Sequence, residues 1–222
     1  MGGSGGQEQL RRTTDSQKRP EIGNQSKKED FMSAELLEAV RSGDVDSVRR
    51  MLVTGADVNS RNDGGATLLM MASHSGNLKM VKALIEAGAD VNACDERGWT
   101  ALMKAAYNPE LDRGFADVVQ VLIDAGANVE MPISYGIRPL MLAAGYGETA
   151  VVETLLRAGA DVMARNDGGL TALMMVKQKH YVDVINVLHE AERDAGVGEG
   201  SCASKNAPGS NVVTFLKPAG KP

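Results

Sequence analysis

The sequence has few of the features that define small secreted domains or membrane proteins. Two cysteines, Cys94 and Cys202, among 222 residues are too few for a disulfide framework or a zinc site. No apolar run approaches the roughly 18 residues that a membrane-spanning helix needs, and residues 1–30 contain no apolar core of a secretion signal. These absences predict a cytoplasmic protein with no membrane partner.

Aromatic residues are also scarce, with one Trp, four Tyr and three Phe. A core of ordinary globular type uses more of them. This core must instead be built from Leu, Val, Ile, Ala and Met, which suits small helical units that repeat. The formal net charge is -5, and the central segment is its acidic part. An acidic body argues against a general nucleic-acid binder.

The chain contains two ladders of repeated motifs in one register. Gly-Ala-(Asp/Asn)-Val motifs start at Gly55, Gly88, Gly126 and Gly159, at spacings of 33, 38 and 33 residues. A Leu-Met pair recurs at the same spacings and ends on Met70, Met103, Met141 and Met174. A fixed period in this range indicates a solenoid of stacked units.

Each period predicts two short helices followed by a projecting turn. Thr67 is a suitable cap for a first helix that continues to about Ser75, and Gly76 with Asn77 interrupts it. A second helix with apolar residues at helical spacing then runs to Gly88, which ends it. Paired helices of this length cannot bury their apolar faces alone, so we expect neighbouring units to complete the core.

This pattern resembles the ankyrin repeat, whose hallmark is Gly-x-Thr-Pro-Leu-His-x-Ala-Ala followed by Gly-Ala-Asp-Val-Asn. The corresponding runs begin at Gly65, Gly98, Gly136 and Gly169. The resemblance implies an all-α ankyrin-repeat solenoid of five helix-turn-helix units with projecting turns. The predicted units are 33–61, 62–94, 95–132, 133–165 and 166–191, between a polar N-terminal arm (1–32) and a C-terminal tail (192–222), both predicted to be disordered.

Three departures from the family pattern lead to predictions. Methionine replaces the motif histidine in all four units, and we expect it to fill an apolar seam rather than form a thioether ladder for soft metals. The third unit is longer, with its excess around Asn108 to Phe115. That insertion is either neutral drift or a contact loop, in which Phe115 covers the solenoid or meets a partner. In the last unit, Lys177, Lys179 and His180 fit a water-facing cap.

The resemblance implies a concave binding face formed by first helices and projecting turns. Aromatic side chains on it contribute contact area with few rotatable bonds. The alternative is that these rings pack together and stiffen the array. The predicted partner-binding residues are Trp99, Tyr107, Tyr135, Ile137, Tyr146, Arg97, Lys104 and His74.

These observations predict a non-catalytic, monomeric protein-protein interaction module, a scaffold, adaptor or effector, with no cofactor and no metal. The alternatives are an inhibitor or regulator of an enzyme that uses the same face, and a nucleic-acid-associated protein. Nucleic acid would bind through basic residues of the N-terminal arm, which acidic residues interleave. An enzyme is disfavoured because the three histidines are scattered and no phosphate-binding loop occurs.

The C-terminal tail contains one short apolar segment, Asn211 to Leu216. It is either a linear docking motif, a segment that folds back onto the last unit, or part of an ordinary tail. At the other end, Met1 to Gly6 is typical of a flexible linker.

Overall fold

The computed structural model describes residues 34–111 and 113–196. The N-terminal arm, with its basic residues, and the apolar segment with Val212 to Leu216 lie outside the described residues. So does Asp112, within the insertion of the third unit.

The described chain is a series of α-helices joined by turns. It contains no strand within the described residues, which confirms the all-α prediction. The helices form five pairs, here called units 1 to 5. They are α1 (34–42) and α2 (Val45–Val53), α3 (Leu68–His74) and α4 (Leu78–Glu86), α5 (Ala101–Ala106) and α6 (Ala116–Asp124), α7 (Pro139–Tyr146) and α8 (Thr149–Arg157), and α9 (Ala172–Val176) and α10 (Val182–Asp194).

The first helices of units 2, 3 and 5 begin at threonine caps, as predicted for Thr67. The Thr67 hydroxyl accepts the Met70 N–H at 3.3 Å, and Thr100 and Thr171 do the same in their units. Arg138 takes this position in unit 4 without a side-chain cap, and Pro139 supplies the first helical residue. The last helix ends at Asp194, beyond the predicted boundary at residue 191.

The units stack through two rows of helices. First helices α3, α5, α7 and α9 contact one another in sequence, and so do second helices α2, α4, α6, α8 and α10. Met70, Met103 and Met141 are at most 1% exposed between the first helices. The apolar-seam interpretation of these methionines is therefore confirmed for three units. Met174, in unit 5, is 43% exposed.

The insertion of unit 3 packs back onto unit 2. Phe115 is 4% exposed, and a Cβ placed on Gly76 would lie 2.3 Å from its ring. Gly76 has φ of +68° and leaves the space that the ring fills. Two roles were predicted for Phe115, contact with a partner and covering of the solenoid. The structure supports the second role.

Side chains at the base of each projecting turn hold the next turn. The Asn59 carboxamide oxygen accepts the Asp90 N–H, Asn92 accepts the Asn128 N–H, and the Glu130 carboxylate accepts the Asp161 N–H, each at 2.8 Å. The four turns around residues 59, 90–92, 128–130 and 161 therefore form one connected edge along the array.

Candidate functional site

Trp99, at the start of α5, belongs to a compact polar cluster. Its backbone N–H donates to the Asp95 carboxylate at 2.8 Å, and Lys104 Nζ lies 3.1 Å from the same carboxylate. The Lys104 ammonium also lies 5.0 Å from the centroid of the Trp99 ring. Trp99 and Lys104 are half-buried, and the Trp99 ring packs partly on the core. The lysine is thus held between a carboxylate and an aromatic face.

The charge of Asp95 stabilises the turn that carries Trp99. Burial favours the uncharged acid, yet the N–H of Trp99, the ammonium of Lys104 and the N–H of Arg97 together hold the pKa of Asp95 below its ordinary value. Asp95 is therefore ionised at neutral pH, and its charge is neutralised locally by Lys104.

Tyr107 and Tyr146 stack on each other across the junction of units 3 and 4. Their ring centroids are 3.6 Å apart with an interplanar angle of 4°. Tyr107 follows α5, and Tyr146 is the last residue of α7. Tyr107 is half-buried, whereas Tyr146 is 45% exposed. The pair thus leaves part of the Tyr146 side chain exposed to solvent.

Tyr135 lies at the tip of a projecting turn in a strained backbone conformation. Its φ of +64° makes it the only non-glycine residue with positive φ in the described ranges, and its side chain is 80% exposed. Its carbonyl accepts the Asp167 N–H at 3.0 Å, which ties this turn to that of unit 5. Equivalent positions in the other turns are Gly64, Arg97 and Gly168.

The remaining predicted site residues occupy different environments. Arg97 is exposed at a turn tip, whereas Ile137 is half-buried against the core. His74 ends α3 and is half-buried. Its carbonyl accepts the Asn108 carboxamide at 2.6 Å, and its Nδ1 is buried without a hydrogen-bond partner in the described structure.

The predicted aromatic residues fall into two pairs rather than one cluster. Trp99 and Tyr135 lie on the turn side of the first helices, and Tyr107 and Tyr146 lie at the opposite ends of α5 and α7. Eight residues of helix rise about 12 Å, so the two pairs mark the two edges of the face formed by the first helices and turns. We call this surface the first-helix face.

Asn108 is a structural residue that the sequence analysis did not single out. It is 2% exposed, donates to the His74 carbonyl and accepts the N–H groups of Glu110 and Leu111 at 2.7 and 3.1 Å. A buried carboxamide with these bonds fixes the start of the insertion. The only available signal was its Asn-Pro pair, which is typical of a turn.

No group of three or more His, Cys, Asp and Glu side chains in residues 34–111 and 113–196 is placed to hold a metal ion. None of the helices described there combines the length and apolar character that crossing a bilayer requires.

A comparison with protein families assigns the repeats. The family described as "Ankyrin repeats (3 copies)" matches residues 36–133 and 112–199. The chain belongs to the ankyrin repeat family. Ankyrin repeats generally mediate protein-protein interactions and are generally non-catalytic. This agrees with the general class of function predicted from the sequence, a protein-protein interaction module.

One curated mouse protein shares part of this ankyrin array. The "RelA-associated inhibitor" of Mus musculus is 35% identical over 83 residues, which cover 36% of this chain and 10% of that protein. The chain therefore spans about a tenth of the length of the curated relative that it matches.

Proposed function

We propose that this ankyrin array is a non-catalytic module that binds a partner protein on its first-helix face. Tyr135, Trp99 and the Tyr107–Tyr146 stack are the proposed aromatic contacts. Arg97 and Lys104 supply polar contacts beside them, with Ile137 next to Tyr135 at the turn edge and His74 at the end of α3. A standard interface buries roughly 800 Å² per partner, which two or three units can supply.

The observation that carries the proposal is the conformation of Tyr135. A left-handed backbone costs a non-glycine residue about 1–2 kcal/mol. The side chain is 80% exposed, so little burial within the chain offsets this cost. None of the equivalent residues Gly64, Arg97 and Gly168 has positive φ, so only the turn of unit 4 adopts the left-handed conformation at this position. A large aromatic retained in a strained and exposed turn supports a role in contact with another molecule.

The Tyr107–Tyr146 stack supports the same proposal at the other edge of the face. Two stacked rings lose little side-chain freedom when a partner covers them, because each ring already holds the other in place. Preorganised aromatic surface of this kind binds at low entropic cost. The stack also agrees with the packing alternative, so Tyr135 is the better residue to test.

The test is the full-length variant Tyr135→Gly, measured for both affinity and stability. Glycine relieves the strain, so we expect the free energy of unfolding to rise by about 1 kcal/mol. We also expect loss of the proteins that wild type retains in quantitative affinity capture from a native lysate. A rise in stability together with a loss of binding separates a contact role from a folding role.

Val53→Ala is the matched control, because Val53 is 88% exposed and lies on α2, in the row of second helices. It should retain the same proteins as wild type. If Tyr135→Gly also retains them unchanged, the turn of unit 4 is not a contact and the proposal fails in its present form.

The printed name of the mouse relative favours one further candidate function, inhibition of the protein that is bound. The first-helix face would then block a partner's active or binding surface. Adding the purified chain to a captured enzyme would separate the candidates, since an inhibitor lowers turnover and a scaffold leaves it unchanged. Nucleic-acid association through the N-terminal arm and the cytoplasmic location stay predictions.

A further inference from the structure

The outer face of unit 5 exposes apolar positions that the other units bury. Along one column, Val48, Val81, Val119 and Val152 are all 0% exposed, whereas the equivalent Ile185 is half-buried. Along the methionine column, Met174 is 43% exposed where its three equivalents are at most 1% exposed. In each earlier unit, the next unit covers these side chains.

Unit 5 carries only part of a water-facing cap. Lys177 replaces Ala144 of unit 4, and Lys179 donates to the Gly145 carbonyl. Leu170 and Val182 nevertheless remain 43% and 62% exposed. A terminal repeat needs a polar outer surface for solubility. We call the set formed by exposed Leu170, Met174 and Val182 and half-buried Met175 and Ile185 the end face.

The chain itself carries an occupant of suitable chemistry. The described residues end at Gly196, directly after α10, which forms one side of the end face. Residues 197–211 lead from there to Val212 and can reach at most about 50 Å. Helix α10 is only about 20 Å long at 1.5 Å per residue. The apolar segment that begins at Val212 can therefore reach every part of the end face.

The composition of this segment also suits binding to the apolar end face. Val212, Val213, Phe215 and Leu216 are the clustered large apolar residues of the C-terminal tail. Lys217 follows them, and α10 presents exposed Asp183 and Glu190. A tethered segment of this length has an effective concentration in the range of millimolar, so modest apolar contact is sufficient for occupancy.

We propose that Val212–Leu216 docks on the end face of unit 5 and completes the apolar cover that a sixth unit would otherwise provide. Phe215 and Leu216 supply most of the buried area, and Lys217 lies towards the acidic side chains of α10. The docked segment shields Met174, Met175 and Ile185 from water and stabilises α9, the shortest helix of the described array.

The test uses full-length protein with isotope-labelled methionine methyl groups. Phe215→Asp/Leu216→Asp introduces two charges into the segment. Ala203→Asp/Ala207→Asp introduces the same two charges into the tail outside it. We expect the first variant alone to shift the methyl signals of Met174 and Met175. Signals of Met70 and Met103 should be unchanged in both, which shows that the array remains folded.

Hydrogen exchange gives a second measurement on the same proteins. Amides of α9 should exchange about tenfold faster in Phe215→Asp/Leu216→Asp than in the control, equivalent to about 1.4 kcal/mol. Identical Met174 and Met175 signals in wild type and both variants would overturn the proposal. A wild-type signal that moves to the variant position on dilution would also overturn it, because the occupant would then be a second copy.

Discussion

Units 3 and 5 carry equivalent apolar side chains in different surroundings. Met103 is fully buried by unit 4, and Met174 is 43% exposed. Likewise, Val119 of unit 3 is 0% exposed, whereas the equivalent Ile185 of unit 5 is half-buried. Each unit thus depends on its neighbour for burial, and much of the stability of the array resides in the junctions between units.

The largest expected effect contrasts the two methionines directly. Met103→Ala should lower the free energy of unfolding by about 2–5 kcal/mol, because it leaves a cavity between packed first helices. Met174→Ala should cost less than about 1 kcal/mol. Denaturant titration of both variants measures the difference. Equal losses would contradict the view that the following unit buries this column.

Two glycines with the same backbone conformation allow a second comparison, of smaller expected effect, between packed and open surroundings. Gly76 and Gly126 both have positive φ, so alanine at either position costs about 1–2 kcal/mol of backbone strain. At Gly76 the new methyl group also collides with Phe115, whereas no described atom lies within 4 Å at Gly126. We therefore expect a loss of about 2–4 kcal/mol for Gly76→Ala.

Thermal unfolding of the two glycine variants measures this contrast, with Gly126→Ala as the matched control. The double variant Gly76→Ala/Phe115→Ala should show a clear interaction energy, since removal of the ring removes the collision. Simple addition of the two single losses would mean that the insertion does not pack on unit 2 as described.

The smallest expected effect concerns Asp95 and pH. The pKa of Asp95 is lowered in the folded state, so its ionised carboxylate stabilises the fold at pH values above the ordinary carboxyl pKa. This stabilisation is lost as the pH falls through the pKa that Asp95 has in the folded protein. Units 2 and 5 have Asn62 and Asn166 at this position, and both carboxamides accept turn N–H groups. Asp95→Asn should therefore cost under about 1 kcal/mol at pH 7.

The same substitution should flatten the loss of stability in acid, since the variant has no carboxylate to protonate at this turn. Denaturation midpoints between pH 2 and pH 7 would reveal this. An unchanged acid dependence would indicate that Lys104 does not stabilise the ionised carboxylate.

The sequence predicted the features of the fold that depend on local pattern. The helix start at Thr67, the break at Gly76 and the methionine seam all follow from spacing and propensity. The stack of Tyr107 on Tyr146 and the packing of Phe115 on Gly76 join residues more than 30 positions apart. Their geometry depends on the way neighbouring units pack, which the repeat period alone does not specify.

The candidate site was predicted less completely for the same reason. Trp99 was expected on an exposed face, yet Asp95 and Lys104 enclose part of it in a cluster built by one turn and one helix. Tyr135 was placed on a projecting turn, but its left-handed backbone is visible only in three dimensions. Sequence identified the positions, and the structure determined how accessible each side chain is.

The hydrogen bonds at the base of the turns allow their tips to vary independently. Asn59, Asn92 and Glu130 fix each turn to the next through backbone N–H groups, and none of these bonds involves a tip side chain. New side chains can therefore be grafted at positions 64, 97 and 168 without altering the frame that holds them. The array is in this sense a scaffold whose specificity can be redesigned one turn at a time.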